Sequence, residues 1–147
     1  MDIHYGVTGT QSGLTREQHV AFYREMMAIP PSSVQHNGLC TGADEHFLWL
    51  GVALGHVIVG HPGVDGSGKC DKRAAAASVA KCDVVHLELP YMRRNTVIVM
   101  ASSRVLGGVG EDHEVLRSGT WSTLRRARDH GRATFIIAPD GSRVVWP

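Results

Sequence analysis

Arg117-Ser118-Gly119-Thr120 places a forked cation, two hydroxyls and a glycine in four consecutive positions, a combination suited to a phosphate ester. Gly119 lets a ligand approach the main chain, Ser118 or Thr120 can cap a helix that begins here, and Arg117 offers two parallel donors. The free N–H groups of a helix start carry about half a positive charge, so an anion there meets amides, hydroxyls and a guanidinium together. Plain helix capping uses the same residue types without any ligand. A second loop, Thr8-Gly9-Thr10, follows a short apolar run and allows a similar approach of backbone and hydroxyls to an anion. Its glycine spacing is not GxGxxG, and a strand-to-helix turn accounts for it equally well.

Gly63-Val-Asp-Gly-Ser-Gly-Lys69 matches GxxxxGK after a strong apolar run. Cys70, however, stands where a nucleoside-triphosphate loop needs a Ser or Thr hydroxyl for magnesium. We read the string as a loop with basic residues near a sheet edge. Arg94 and Asn95 lie early in an expected helix, where they can hydrogen-bond a ligand or form a solvated face. Nine histidines form no HxH or HExxH pattern, so no metal site is expected, and nothing calls for a cofactor. Cys40, Cys70 and Cys82 are odd in number and widely spaced, which fits a reduced, cytoplasmic protein better than a disulfide framework.

The elements that must position these residues alternate between strand and helix. Ile3–Val7 reads as a strand, and Thr15-Arg-Glu-Gln18 is a capping-box pattern opening a helix to about Ala28 with Val20, Tyr23, Met26 and Met27 as its apolar stripe. Ser33–His36 reads as a strand and Ala43–Leu54 as a helix. His56–Gly60 is a strand with the look of one buried on both faces. Lys72–Ala80 reads as a short helix, Val84–Leu87 as a strand, and Tyr91–Ser102 as a helix opened by Pro90. Val105–Val109 and Thr134–Ala138 are strands flanking a helix at Thr120–His130, and Val144–Trp146 is a candidate edge strand. This alternation selects a three-layer α/β, Rossmann-like domain with a mostly parallel central sheet, spanning residues 1–147 as one unit. Ligands bind such sheets at the carboxyl ends of the strands. Here that means the loops Thr8–Gly13, Asn37–Asp44, His61–Lys69 and Leu116–Thr120.

Composition narrows the function. A chain of 147 residues with 43% hydrophobic and 20% charged residues supports an ordinary core. A net charge of +1 gives no general case for nucleic-acid or polybasic membrane binding. No apolar run approaches the length of a membrane span, and no leader-type segment opens the sequence.

Several strings taken together resemble one group of proteins in order and spacing. They are Asn37-Gly-Leu-Cys-Thr-Gly-Ala-Asp44, His61-Pro62, Asp71-Lys-Arg-Ala74, Leu89-Pro-Tyr-Met-Arg-Arg-Asn95, and Arg117-Ser-Gly-Thr-Trp-Ser-Thr123 with Ala127-Arg128. From about Ile3 to Gly141 the chain resembles the SLOG superfamily of Rossmann-like nucleotide-binding domains. That group includes the LOG-type phosphoribohydrolases and the DNA-processing protein DprA, and the likeness is greatest to small bacterial and phage members. The resemblance implies a nucleoside-phosphate ligand across the carboxyl ends of the strands, with its phosphate at Gly119-Thr120. It also implies Arg94 near the ligand, Gly42 and Asp44 lining the second loop, and a homodimer.

One departure bears on activity. LOG enzymes carry PGGxGTxEE, whereas here Gly119-Thr120 precedes Trp121, Ser122 and Thr123, so both carboxylates are missing. Splitting an N-glycosidic bond goes through a cationic, oxocarbenium-like state that a carboxylate stabilises. Glu111, Asp112 and Glu114 are the acidic residues just upstream, and the sequence positions none of them. The expectation is therefore a module that binds a nucleotide or nucleotide-derived small molecule for sensing, sequestration or accessory work, with no catalytic residue assigned. A nucleoside-monophosphate phosphoribohydrolase or ribosyl-transferring enzyme is the alternative, and a DprA-like DNA-binding accessory comes third.

Overall fold

A computed structural model describes residues 2–146. In chain order the elements are β1 (His4–Gly9), α1 (Arg16–Met27), β2 (Val34–Asn37), α2 (Ala43–Ala53), β3 (Val57–Gly60) and β4 (Gly63–Val64). There follow α3 (Ala76–Val79), β5 (Val84–Val85), β6 (Leu89–Pro90), α4 (Tyr91–Ala101), β7 (Arg104–Gly108), α5 (Gly119–Asp129) and β8 (Ala133–Ile137). Six strands form one sheet in the order β5-β3-β2-β1-β7-β8, every neighbouring pair parallel, and β4 and β6 form a separate short parallel pair. The expected α/β, Rossmann-like architecture is present. The chain winds outward from β1 to β5, returns to β7 on the other side of β1, and then winds outward again. The strand order therefore reverses between β1 and β7, where sheets of this kind open a crevice at their carboxyl ends.

Two apolar layers cover the sheet. Tyr5 and Val7 of β1 pack with Phe22 and Met26 of α1 and Phe47 of α2. On the other side Val105 of β7 and Ile136 of β8 pack with Val99 of α4 and with Trp121, Leu124 and Ala127 of α5. The capping box at Thr15 and Gln18 forms as its letters suggest. The apolar stripe of α1 does not, because Val20, Tyr23 and Met27 are exposed and the buried residues are Gln18, Phe22 and Met26. Gln18 takes an inward position because its Nε2 donates to the carbonyls of Val109 and Ile137, both at 2.8 Å. Those two acceptors lie at the ends of neighbouring strands, and burying them unpaired is costly.

Most other boundaries shift by one or two residues, and three elements depart further from expectation. The helix expected over 72–80 is the single turn α3, because residues 72–74 pair instead with the loop after β2 (Thr41 N–H to Lys72 O, 2.7 Å; Ala74 N–H to Leu39 O, 2.8 Å). The strand expected over 84–87 ends at Val85. Residues 144–146 do not form a strand. Arg143 makes one antiparallel bridge with Ile137, and the Trp146 ring packs edge-on against Trp121.

The sheet also carries a row of histidines. His4 Nδ1 lies 2.9 Å from His36 Nε2, His36 Nδ1 lies 2.8 Å from His61 Nε2, and the His61 ring stacks on His86 with centroids 4.8 Å apart. His36 and His61 are buried. Burial first, and then the neighbouring imidazoles, lower them to about 4 and about 3.

Candidate functional site

A cleft of about 560 Å³ opens where β1 and β7 end. One wall is the start of α5. Ser118 is its N-cap, and its Oγ accepts the Trp121 N–H at 3.2 Å. Thr123 Oγ1 donates back to the Gly119 carbonyl at 3.0 Å, which tightens the first turn. The N–H groups of Gly119 and Thr120 find no backbone acceptor among the described residues, as expected for the first positions of a helix. Gly119 faces open space, since nothing lies within 4 Å of where a side chain would begin. Beside it Arg117 is exposed and makes no side-chain hydrogen bond or ion pair among the described residues.

The floor is the end of β1 with the residue after it, since the strand runs through Thr8 and Gly9, which were expected in the loop. Thr8, Gly9 and Thr10 line the cleft. Thr10 is held by its N–H to the Gly108 carbonyl (3.2 Å) and by its hydroxyl to the Gly13 carbonyl (3.2 Å). Gly9 also answers to packing, because a Cβ there would collide with Ala43 and lie 2.9 Å from the Gly108 oxygen.

The opposite end is built differently. Arg94 is buried and its guanidinium is occupied. Nη1 donates to the carbonyls of Gly38 (2.6 Å) and His61 (3.1 Å), Nη2 lies 3.8 Å from Cys40 Sγ, and Nε donates to Asn95 Oδ1 at 2.7 Å. Asn95 is thereby held with its acceptor used, leaving its amide N–H₂ as the free donor group. Asp44 is buried, and its Oδ2 accepts the Cys40 N–H at 3.2 Å. Burial pushes this carboxyl up to about 6 despite the opposing pull of Arg94. The Cys40 thiol is pushed up to about 11, by burial first and then by Asp44. Gly38 makes this crowding possible, since a side chain there would begin 2.9 Å from Arg94 Nη1 and 3.0 Å from Asp44 Oδ2.

The structure therefore brings together Thr8, Gly9, Thr10, Asp44, Arg94, Asn95, Arg117, Ser118, Gly119 and Thr120 around one space. Gly42 lies outside its lining. It precedes α2 with φ of +87°, in the left-handed region, and its side-chain direction is blocked by the main chain of Thr10 and Gln11.

Cys40, Lys72 and Tyr91, which the sequence does not single out as site residues, also line the cleft, and so does Glu111, one of the three upstream acidic residues that the sequence leaves unplaced. Glu111 matters most. Its Oε1 accepts the Nε1–H of the fully buried Trp121 at 2.9 Å. The other two acidic residues are engaged elsewhere: Glu114 binds Arg125 (2.9 Å) and Trp146 (3.1 Å), and Asp112 pairs with His113 in solvent. No local rule links positions 111 and 121, so only the folded chain reveals that bond.

The GxxxxGK string takes no part in the cleft. Asp65 Oδ1 accepts from the N–H groups of Ser67 (2.8 Å) and Lys69 (3.0 Å) and from the Ser67 hydroxyl (2.6 Å). These amides turn inward on the loop's own carboxylate, where a phosphate loop would point them outward. Among the described residues no three His, Cys, Asp or Glu side chains converge as a metal-ligand set.

No family model and no curated protein matches the chain. Among solved structures it is similar to DNA processing protein A (DprA) from Streptococcus pneumoniae, with a TM-score of 0.69 and 20% identity over 92% of this chain and 50% of that one. It is also similar to the molybdenum cofactor binding protein from the phototrophic bacterium Rippkaea orientalis. There the TM-score is 0.66 at 15% identity, over 94% of this chain and 77% of that one. The chain thus spans half the length of the DprA structure it matches. At these identities the likeness carries the architecture: this chain has the Rossmann-like fold that those two proteins share and that the SLOG resemblance implied.

Proposed function

We propose that the chain binds a nucleotide or nucleotide-derived small molecule in this cleft, phosphate first, and serves as a sensing, sequestering or accessory module. The observation that carries the reading is the pairing of an unengaged Arg117 with the free amides of α5, at the point where strand order reverses. An anion seated there gains charge-assisted hydrogen bonds from donors that are already fixed in place. Thr8, Gly9 and Thr10 form the floor beneath the phosphate, with Ser118, Gly119 and Thr120 at its side. Asp44, Arg94 and Asn95 frame the far end, and Gly42 sets the turn behind it. One structural neighbour is by name a cofactor-binding protein, which supports a small-molecule ligand. Among the described residues no helix is long and apolar enough to cross a membrane. A cytoplasmic setting and a homodimer belong to the same reading, the first from the three free cysteines and the second from the SLOG resemblance.

A second reading, cleavage or transfer at the ribosyl carbon of a nucleoside monophosphate, is favoured by one observation: Glu111 puts a carboxylate in the cleft wall. The DNA-binding reading has a neighbour in DprA. A net charge of +1 weighs against it.

Native mass spectrometry of the purified protein, followed by calorimetry against a nucleotide panel, tests the proposal. We expect a bound species of nucleotide mass that stays intact on incubation. Free base released with turnover establishes the enzymatic reading instead, and the absence of heat with every nucleotide overturns both.

A further inference from the structure

We propose that Glu111 reads the sugar of the ligand, accepting hydroxyl hydrogens from a ribosyl phosphate and so selecting ribonucleotides over 2′-deoxyribonucleotides. The inference rests on the phosphate-ester reading above and makes its ligand class specific. Glu111 stands on the loop from β7 to α5, the same loop that delivers Arg117 and Ser118 to the cleft. Its bond to the buried Trp121 indole fixes the carboxylate, because turning away would strand a buried N–H donor. Oε2 has no hydrogen-bond partner and Glu111 has no cationic partner among the described residues.

A carboxylate with no cationic partner in the wall of a cleft that accepts anions repels a bare phosphate. It becomes favourable only when the ligand brings hydrogen-bond donors to it. With the phosphate at the start of α5, the next hydrogen-bond donors along a nucleoside 5′-monophosphate are the sugar hydroxyls. A ribose presents two adjacent O–H donors and a 2′-deoxyribose one, while the carboxylate only accepts. Sites that hydrogen-bond a ligand hydroxyl discriminate strongly against the analogue lacking it, because their own polar group is left unpaired. Both functional readings bring the sugar of a nucleotide into this cleft, so the inference can be tested whichever of them is correct.

Calorimetry with adenosine, guanosine, cytidine and uridine 5′-monophosphates, their 2′-deoxy counterparts and inorganic phosphate tests it on the wild type and on Glu111→Gln. Glutamine keeps an oxygen for the Trp121 N–H and removes the charge. The tightest-binding ribonucleotide should exceed its deoxy counterpart by about tenfold or more in the wild type. In Glu111→Gln that ratio should fall to roughly twofold, and inorganic phosphate should bind more tightly than to the wild type. Equal affinity for the two sugars in the wild type overturns the inference and leaves the phosphate reading standing, a result that does not depend on the variant folding. A ratio unchanged in a folded Glu111→Gln also overturns it. No binding of any nucleotide overturns this inference together with the reading beneath it.

Discussion

Arg94 and Arg117 face one cleft from opposite ends, and their employment differs completely. Arg94 is buried with its guanidinium spent on the Gly38 and His61 carbonyls, Cys40 and Asn95. Arg117 is exposed and bonds nothing among the described residues. The first ties α4 to the loops after β2 and β3, whereas the second is available to a ligand. An arginine in a cavity wall is therefore judged by its free donors, and adjacency to the cavity alone does not make it a ligand group.

Substitution should separate these two arginines. Arg94→Ala leaves two buried carbonyls without donors and Asp44 without its neighbouring positive charge, so urea denaturation should show a loss of roughly 3–5 kcal/mol. Arg117→Ala should change stability by less than about 0.5 kcal/mol while weakening a phosphate-bearing ligand by roughly 1.5–3 kcal/mol in calorimetry. If the stability losses prove equal, or if Arg94→Ala folds normally and alone abolishes binding, the contrast is wrong.

Asp44 sharpens the comparison through pH. Its folded value of about 6 lies above the ordinary 3.8, so its contribution to stability is fully present below pH 3.8 and is lost as pH rises through 6. His36 and His61, at about 4 and about 3 against an ordinary 6.5, act oppositely: their contribution is complete above pH 6.5 and is lost as pH falls toward 3. Stability should therefore fall on the acid side, with Asp44 flattening the profile between about pH 4 and 6. Asp44→Asn should raise stability at pH 7.5 by roughly 1–2 kcal/mol and leave it little changed at pH 3.5. A variant no more stable than wild type at pH 7.5 would show that Arg94 offsets the burial of this carboxylate.

The smallest expected effect lies at the other end of the cleft. Ser118→Ala removes the cap of α5 and should cost about 1 kcal/mol of stability in thermal or urea unfolding. Ligand affinity should weaken less than it does in Arg117→Ala, because the amides of Gly119 and Thr120 remain.

What the sequence disclosed follows the range of each interaction. The Thr15–Gln18 box is a contact within one turn and was legible. So was the gathering of Thr8–Thr10 and Ser118–Thr120 at one sheet edge, because strand–helix alternation in a parallel sheet puts such loops on the same side. The inward position of Gln18 is not legible locally because its partners, Val109 and Ile137, are more than 90 residues away. Lys72 was assigned to a helix because nothing local announces that its carbonyl takes the Thr41 N–H. Arg94 was expected near a ligand and does line the cleft, but its commitments to loop carbonyls arise only when β2 and β3 have paired. Glu111 and Trp121 belong to the same category.

The histidine row has one further consequence. A neutral imidazole carries a single N–H, so each ring in the string His4–His36–His61 that donates forward must accept from behind. Only two proton placements satisfy both contacts: all three rings protonated on Nδ1, or all three on Nε2. The tautomers of three neighbouring rings are thus chosen together, and replacing the central His36 by a residue without a ring nitrogen frees the other two to choose separately.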